Sequence, residues 1–157
     1  MGRRYTVTFS GTAVTAAQDL FFLNSTGSAS IALRTVALGC VNSGQSAVEL
    51  LPILVNRYTG GITAGTGGTA PTPQPIDPGD RAAIFTARVN DTTRSTTTSG
   101  TNSIIADAFN VVNGYFNQFE PLSAPRAWIN GALVVRLELA PVASRTIAGY
   151  VIVEEVT

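Results

Sequence analysis

Between Thr59 and Asp80 the chain reads T-G-G-I-T-A-G-T-G-G-T-A-P-T-P-Q-P-I-D-P-G-D, and neither a helix nor an interior strand accommodates it. Its first half is glycine and threonine, permissive in φ. Its second half carries prolines at 71, 73, 75 and 78, which hold the backbone extended and remove amide donors. Loops beyond about 12–15 residues are uncommon in compact domains and are usually functional or disordered. On both sides lie short apolar, β-branched segments separated by turn residues. The expectation is a single β-domain over residues 1–157 that throws out one long arm at 59–80. Deleting Gly60–Gln74 is then expected to leave the domain folded.

The flanking segments carry period-2 alternation. Arg4–Phe9 sets Tyr5, Val7 and Phe9 against Thr6 and Thr8, a half-buried strand. Ser10-Gly11-Thr12 marks a turn or bulge, and the apolar run Leu20–Leu23 reads as a strand. Ser30–Val41 is apolar on both faces, which predicts a central strand. Asn42–Gln45 then turns the chain into Ala47–Tyr58 as the hairpin partner. Pro52 in that partner predicts a bulge or an edge position. Beyond the arm, Ala82–Asn90 alternates again, whereas the polar tract Asp91–Gly100 has no periodicity and reads as a mobile connection. Asn102–Val112 and Tyr115–Phe119 flank Asn113-Gly114, a hairpin signal. Ala127–Leu139, with an Asn130-Gly131 turn, and Thr146–Val156 complete eight or nine strands. No segment reads as a convincing helix. The fold class predicted is all-β, an antiparallel sandwich of jelly-roll type.

Composition narrows the chemistry. All ten basic residues are arginine, balanced by ten carboxylates, and histidine is absent. That excludes histidine-dependent triads, His-metal sites, lysine Schiff bases and a phosphate loop ending in Gly-Lys. Cys40 is the only cysteine, so neither an intrachain disulfide nor a cysteine zinc site forms. Asp77 and Asp80 in I-D-P-G-D read as turn formers before calcium ligands, and Asp107 has no partner acid nearby in the sequence. No catalytic residue, cofactor or metal is predicted. The arginines form no basic run, which speaks against nucleic acid, and no apolar run reaches the about 20 residues of a membrane helix. Charged residues make up 13%, about half the usual share. Together with zero net charge this favours a chain that associates with neighbours.

Three features read as binding surfaces. The arm can lie along a neighbour, which nominates Ile62, Thr66, Pro71, Pro73 and Pro75, with Arg81 just behind it. Arg3 and Arg4 offer charge-assisted contacts. Trp128 reads equally as an interface anchor or as a core aromatic capping the sandwich. A stacking face for sugars made of Tyr115, Phe116, Phe119 and Trp128 is the competing reading.

The segments T-A-V-T-A-A-Q-D-L-F at 12–21, G-G-T-A-P-T-P-Q-P-I-D-P-G-D at 67–80, F-T-A-R-V-N-D-T-T at 85–93 and V-V-R-L-E-L-A-P at 134–141 resemble small proteins encoded among tailed-bacteriophage structural genes. The resemblance implies a virion component made in the host cytoplasm. The form it favours is a capsid decoration or cement protein on the outside of the head, bound to the major capsid protein and itself trimeric. A fibre, spike or tail-associated β-domain is the alternative.

Overall fold

The computed structural model describes residues 2–41 and 48–156. The strands are β1 (Arg3–Val14), β2 (Asp19–Ser25), β3 (Ser30–Cys40), β4 (Leu50–Tyr58), β5 (Ile62–Thr63), β6 (Gln74–Pro75), β7 (Phe85–Asp91), β8 (Thr96–Thr97), β9 (Thr101–Asn110), β10 (Tyr115–Gln118), β11 (Arg126–Ala127), β12 (Ala132–Leu137) and β13 (Arg145–Val156). No helix occurs among the described residues. One sheet runs β10-β3-β13-β1-β6, with β11 also on β3, and the other runs β7-β2-β12-β4-β9. All pairings are antiparallel. The expected antiparallel β-sandwich is therefore present.

Outside the 59–100 insertion, the strands pair in a nested order: β1 with β13, β2 with β12, β3 with β10, β4 with β9. Successive pairs alternate between the two sheets. This overturns two expected hairpins. β3 and β4 lie in opposite sheets, so 47–58 is not the partner of 30–41; the Asn42–Gln45 turn itself lies outside the described residues. Asn113-Gly114 does form a turn, with Gly114 at φ 78° and its N–H donating to Asn110 O at 2.8 Å. That turn carries the chain from one sheet to the other instead of closing β9 onto β10.

The core lies between the sheets. Tyr5, Val7, Ile31, Leu33, Val36, Val151 and Val153 face Phe21, Leu23, Ile53, Val55, Leu133, Val135 and Phe109, all nearly or fully buried. Two ring contacts span the gap, Tyr5 edge-on to Phe85 at 5.7 Å and Phe9 tilted on Phe21 at 5.1 Å. The two-sided apolarity of β3 has a specific origin. Pairing with β13 shifts register between Ile152 and Val153, which leaves Arg34 as an extra residue. The bulge flips the alternation, so that Ile31 and Leu33 before it and Val36 and Leu38 after it reach the same core. β1 has the bulge expected at Ser10–Thr12, with Gly11 at φ 59°.

Pro52 lies in an interior strand, between β12 and β9, and not at an edge. Its carbonyl accepts from Glu138 N at 3.0 Å, so its nitrogen faces the same side, just where β12 has ended. The carbonyl opposite, Glu138 O, accepts from Arg94 Nη2 at 2.8 Å, so the donor that proline lacks leaves no carbonyl unanswered.

The insertion is not a projecting arm. Residues 62–69 run antiparallel beside 89–97 through β5–β8 and the bridges Thr66–Thr93 and Thr69–Val89. β6 then pairs with β1, and Ile76 N donates to Arg4 O at 2.9 Å. The glycines serve close approach more than flexibility: a Cβ on Gly65 would stand 2.4 Å from Thr93 O, and one on Gly68 2.0 Å from Val89 O. The insertion also roofs the outer face of the second sheet, where Phe22, Tyr58, Ala132 and Val134 form a second buried cluster with Ile62 packed on it. Deleting Gly60–Gln74 is therefore expected to destabilise the sandwich, at about 1.5–3 kcal/mol for each large apolar side chain re-exposed. Thermal unfolding with light scattering measures this. A deletion variant with the parent midpoint and no aggregation would show that the roof is dispensable.

Candidate interaction surfaces

Most of the charge in this chain is spent internally. Eight of the ten arginines form ion pairs with carboxylates: Arg3–Asp80, Arg4–Glu154, Arg34–Glu154, Arg81–Glu155, Arg88–Asp91, Arg94–Glu138, Arg136–Asp19 and Arg145–Glu49. The most buried is Asp19–Arg136. Arg136 Nε and Nη2 donate to Asp19 at 2.6 and 3.2 Å, and Arg136 also donates to Tyr58 Oη and Ser95 O, both at 2.9 Å. Ser95 N and Oγ donate to Asp19 Oδ2 at 2.7 and 2.5 Å. Burial works against the charged Arg136 guanidinium, but Asp19 outweighs it and holds the arginine above its ordinary range. The polar tract 91–100 is thus not a free connection: Ser95 is buried and tied to two strands of the sheet below.

Across the sheet from Asp19 stands Asp91, its cross-strand partner. It is held by Arg88 at 2.7 and 2.8 Å and accepts Gly68 N at 3.1 Å, which fixes the glycine run. In the other sheet, at the end of its interior strand β13, Glu155 accepts Ile84 N at 2.6 Å and Tyr5 Oη at 3.3 Å. Glu154 accepts Gly2 N at 3.1 Å and binds both Arg34 and Arg4.

Burial by itself would raise the carboxyl of Glu154, but Arg34, Gly2 N and Arg4 hold it below the ordinary glutamate range. Glu49 is likewise held down, against burial, by Val142 N and Arg145. Both folded values lie below the unfolded one of about 4.3. Their contribution to stability is therefore complete above that pH and is lost as pH falls through the folded values.

The residues nominated from the sequence do not converge on one site. Arg3 and Arg4 are turned to Asp80 and Glu154. Pro73 is buried, Ile62, Pro71 and Pro75 are half-buried, and Thr66 and Arg81 are exposed. Asp77 Oδ1 accepts Gly79 N at 3.0 Å, the turn-forming role. Among the described residues, no three metal-capable side chains come together. The proposed sugar-stacking set divides: Tyr115 and Phe119 pack into the core, whereas Phe116 and Trp128 are 65% and 74% exposed. Trp128 is consequently not a core aromatic.

Two surfaces emerge instead. The first is the outer face of the β10-β3-β13-β1-β6 sheet. The registers place Phe116, Ala37, Tyr150 and Thr8 in one row across it, and Gln118, Thr35, Ile152, Thr6 and Gln74 in the next. Neither row carries a charge, and a shallow depression of about 380 Å³ beside Tyr150 is bounded by Thr8, Phe9, Ala37, Leu38 and Ala148. The second is a groove of about 310 Å³ lined by Arg57, Ile104, Leu122, Arg126 and Trp128. Tyr150 escaped the sequence reading although its signal was present: with Ile147, Val151 and Val153 inward, the even positions face out, and two of them, Tyr150 and Ile152, are apolar. Arg57 and Leu122 gave no local signal, because their importance depends on which neighbours lack partners.

No protein-family model, curated protein or solved structure matches the chain.

Replacing Asp19 by Asn should leave Arg136 buried without its counter-charge and cost about 3–5 kcal/mol in chemical denaturation, as breaking a buried pair does. A loss within the error of the parent curve would show that Asp19 does not hold the insertion down. Acid titration of the parent protein should show stability falling as pH drops below about 4.3. E49Q should flatten part of that fall; an unchanged acid limb would exclude Glu49 as a contributor.

Proposed function

We propose that this chain is a structural protein of a tailed-phage particle, a decoration or cement protein that seats on the outside of the capsid and clips neighbouring coat subunits. The observation that carries this reading is the asymmetry of the two outer faces. The insertion roofs one of them, while the other presents two complete rows without charge, including Phe116, Tyr150 and Ile152. A solvent-facing antiparallel sheet ordinarily presents polar and charged side chains on its wet side. A flat face kept neutral suits a broad contact with another protein, whose many copies on a shell would multiply modest affinity. The resemblance to phage structural proteins and the nested strand order, which we read as a jelly roll, support the same assignment. The occupant of this face in the proposal is the major capsid protein, and the location is the virion surface. The role is binding, not catalysis.

A second reading has its own support. Phe116 and Tyr150 share a row and are separated by one strand, hence by about 9–10 Å, a span that suits stacking of two sugar rings by a fibre or spike domain. The deciding experiment measures copies of this protein per coat subunit in purified particles, and then retention of the Tyr150→Asp variant on bare shells. Near-stoichiometric copies with loss of Y150D from the shells is the expected result. A few copies per particle, with glycan binding lost in Tyr150→Ala, would move the protein to a fibre; absence from particles would overturn the virion assignment.

A further inference from the structure

We infer that copies of this chain join head to tail, the Ile76-Asp77-Pro78 turn of one seated in the Arg57–Trp128 groove of the next. Among the described residues, only two arginines have no carboxylate partner, Arg57 and Arg126, and both line this one groove. They are linked to each other, since Arg57 Nη1 reaches Arg126 O at 3.5 Å, and Arg126 Nη2 is steadied by Pro121 O at 3.0 Å. Around them stand Leu122, 97% exposed, Trp128 and Ile104. Arginine and tryptophan beside an exposed leucine are the residue types that carry binding energy at interfaces. The groove calls for an acid next to an apolar side chain.

The chain carries that pair. Among the described residues three carboxylates lack an arginine: Asp77, Asp107 and Glu120. Asp107 is on β9 and Glu120 follows β10, both on the same side of the molecule as the groove, and neither lines it. Asp77 alone is elsewhere, and it stands between Ile76, half-exposed, and the exposed Pro78. Its turn is preformed: Asp80 N donates to Asp77 O at 3.0 Å, Gly79 N donates to Asp77 Oδ1 at 3.0 Å, and Arg3 anchors Asp80 at 3.3 Å. A rigid turn loses little freedom on binding.

The placement fixes the symmetry. The turn follows β6, at one edge of its sheet, and Arg126 lies on β11, at the opposite edge beyond β3. A knob and a socket on opposite edges make a heterologous contact, which closes into a ring or continues as a chain. The contact concerns copies of this chain alone and does not rest on the virion assignment.

Mass by light scattering across a concentration series tests it on the full chain. The parent should form a discrete multiple of 16.3 kDa, with the emission of Trp128, the only tryptophan, shifting blue on association. D77R and the double variant R57E/R126E should each remain monomeric with the parent's circular dichroism. Mixed together they should associate again, since the aspartate turn of one meets the arginine socket of the other and the arginine turn meets the glutamate socket. A parent that stays monomeric up to its solubility limit would overturn the contact. So would an assembly that survives in either variant, or a mixture that stays monomeric.

Discussion

The bidentate pair of Arg136 with Asp19 is the constraint on which the arrangement of this molecule depends. It sits on the outer side of a sheet, where a side chain ordinarily meets water, yet Asp19 is almost fully buried. Burying a charge there is tolerable only because every strong group is answered: Asp19 by Arg136 and both donors of Ser95, Arg136 by Tyr58 and the Ser95 carbonyl. Ser95 thereby becomes the fastener of a segment whose own sequence has little apolar side chain to bury. Once Ser95 is fixed, β8 lies beside β5, the glycine run lies against 89–93, and Phe22, Tyr58 and Val134 lose their contact with water. A polar network of this kind specifies position where a threonine and glycine surface could not.

The same logic explains why so little charge suffices. With eight arginines paired inside the chain, charge works here as mortar between segments distant in sequence. Glu154 and Glu155 join the last strand to the first residues, to β3 and to Ile84 just before β7. Arginine suits this work because its planar fork satisfies several acceptors at once, as Arg136 does, and lysine would not. The consequence at the surface is a sheet face with two uncharged rows and a groove holding the two unmatched guanidinium groups.

How far the sequence discloses this depends on the range of each signal. Alternation in 4–9 and 146–156 locates β1 and β13, because inward positions of an antiparallel strand repeat every second residue. At Ser30–Val41 the apolarity of both parities correctly marks an interior strand, but part of it comes from a single bulged residue, Arg34, which carries the core-facing positions from odd to even numbers. Asn113-Gly114 is a sound turn signal, but turn chemistry fixes a local reversal and is silent on whether the chain returns to its own sheet. The glycines of 60–68 were open to two physical explanations, freedom and close approach. Only the backbone of 89–98 beside them decides for the second. The candidate surfaces were the least legible, since Arg57 and Arg126 matter through the absence of partners, a property of the whole ion-pair pattern.

The insertion is what makes the molecule asymmetric. A sandwich has two outer faces and four free edges, and each edge invites pairing with another chain. Here one excursion of the chain roofs one face, covers the free edge of β1 with β6 and lies along β7. β9 and β10, on the far side, keep their edges. β9 is protected otherwise: Asp107 is the cross-strand neighbour of the core residue Ile53, which places its charge on the inward side of the edge strand. A strand added there would have to bury that carboxylate, and this opposes indiscriminate pairing. Association is thereby steered away from open-ended sheet extension and toward side-chain contacts, on the neutral face and in the arginine-lined groove. Those are surfaces where shape and charge select a partner, and a bare edge selects none.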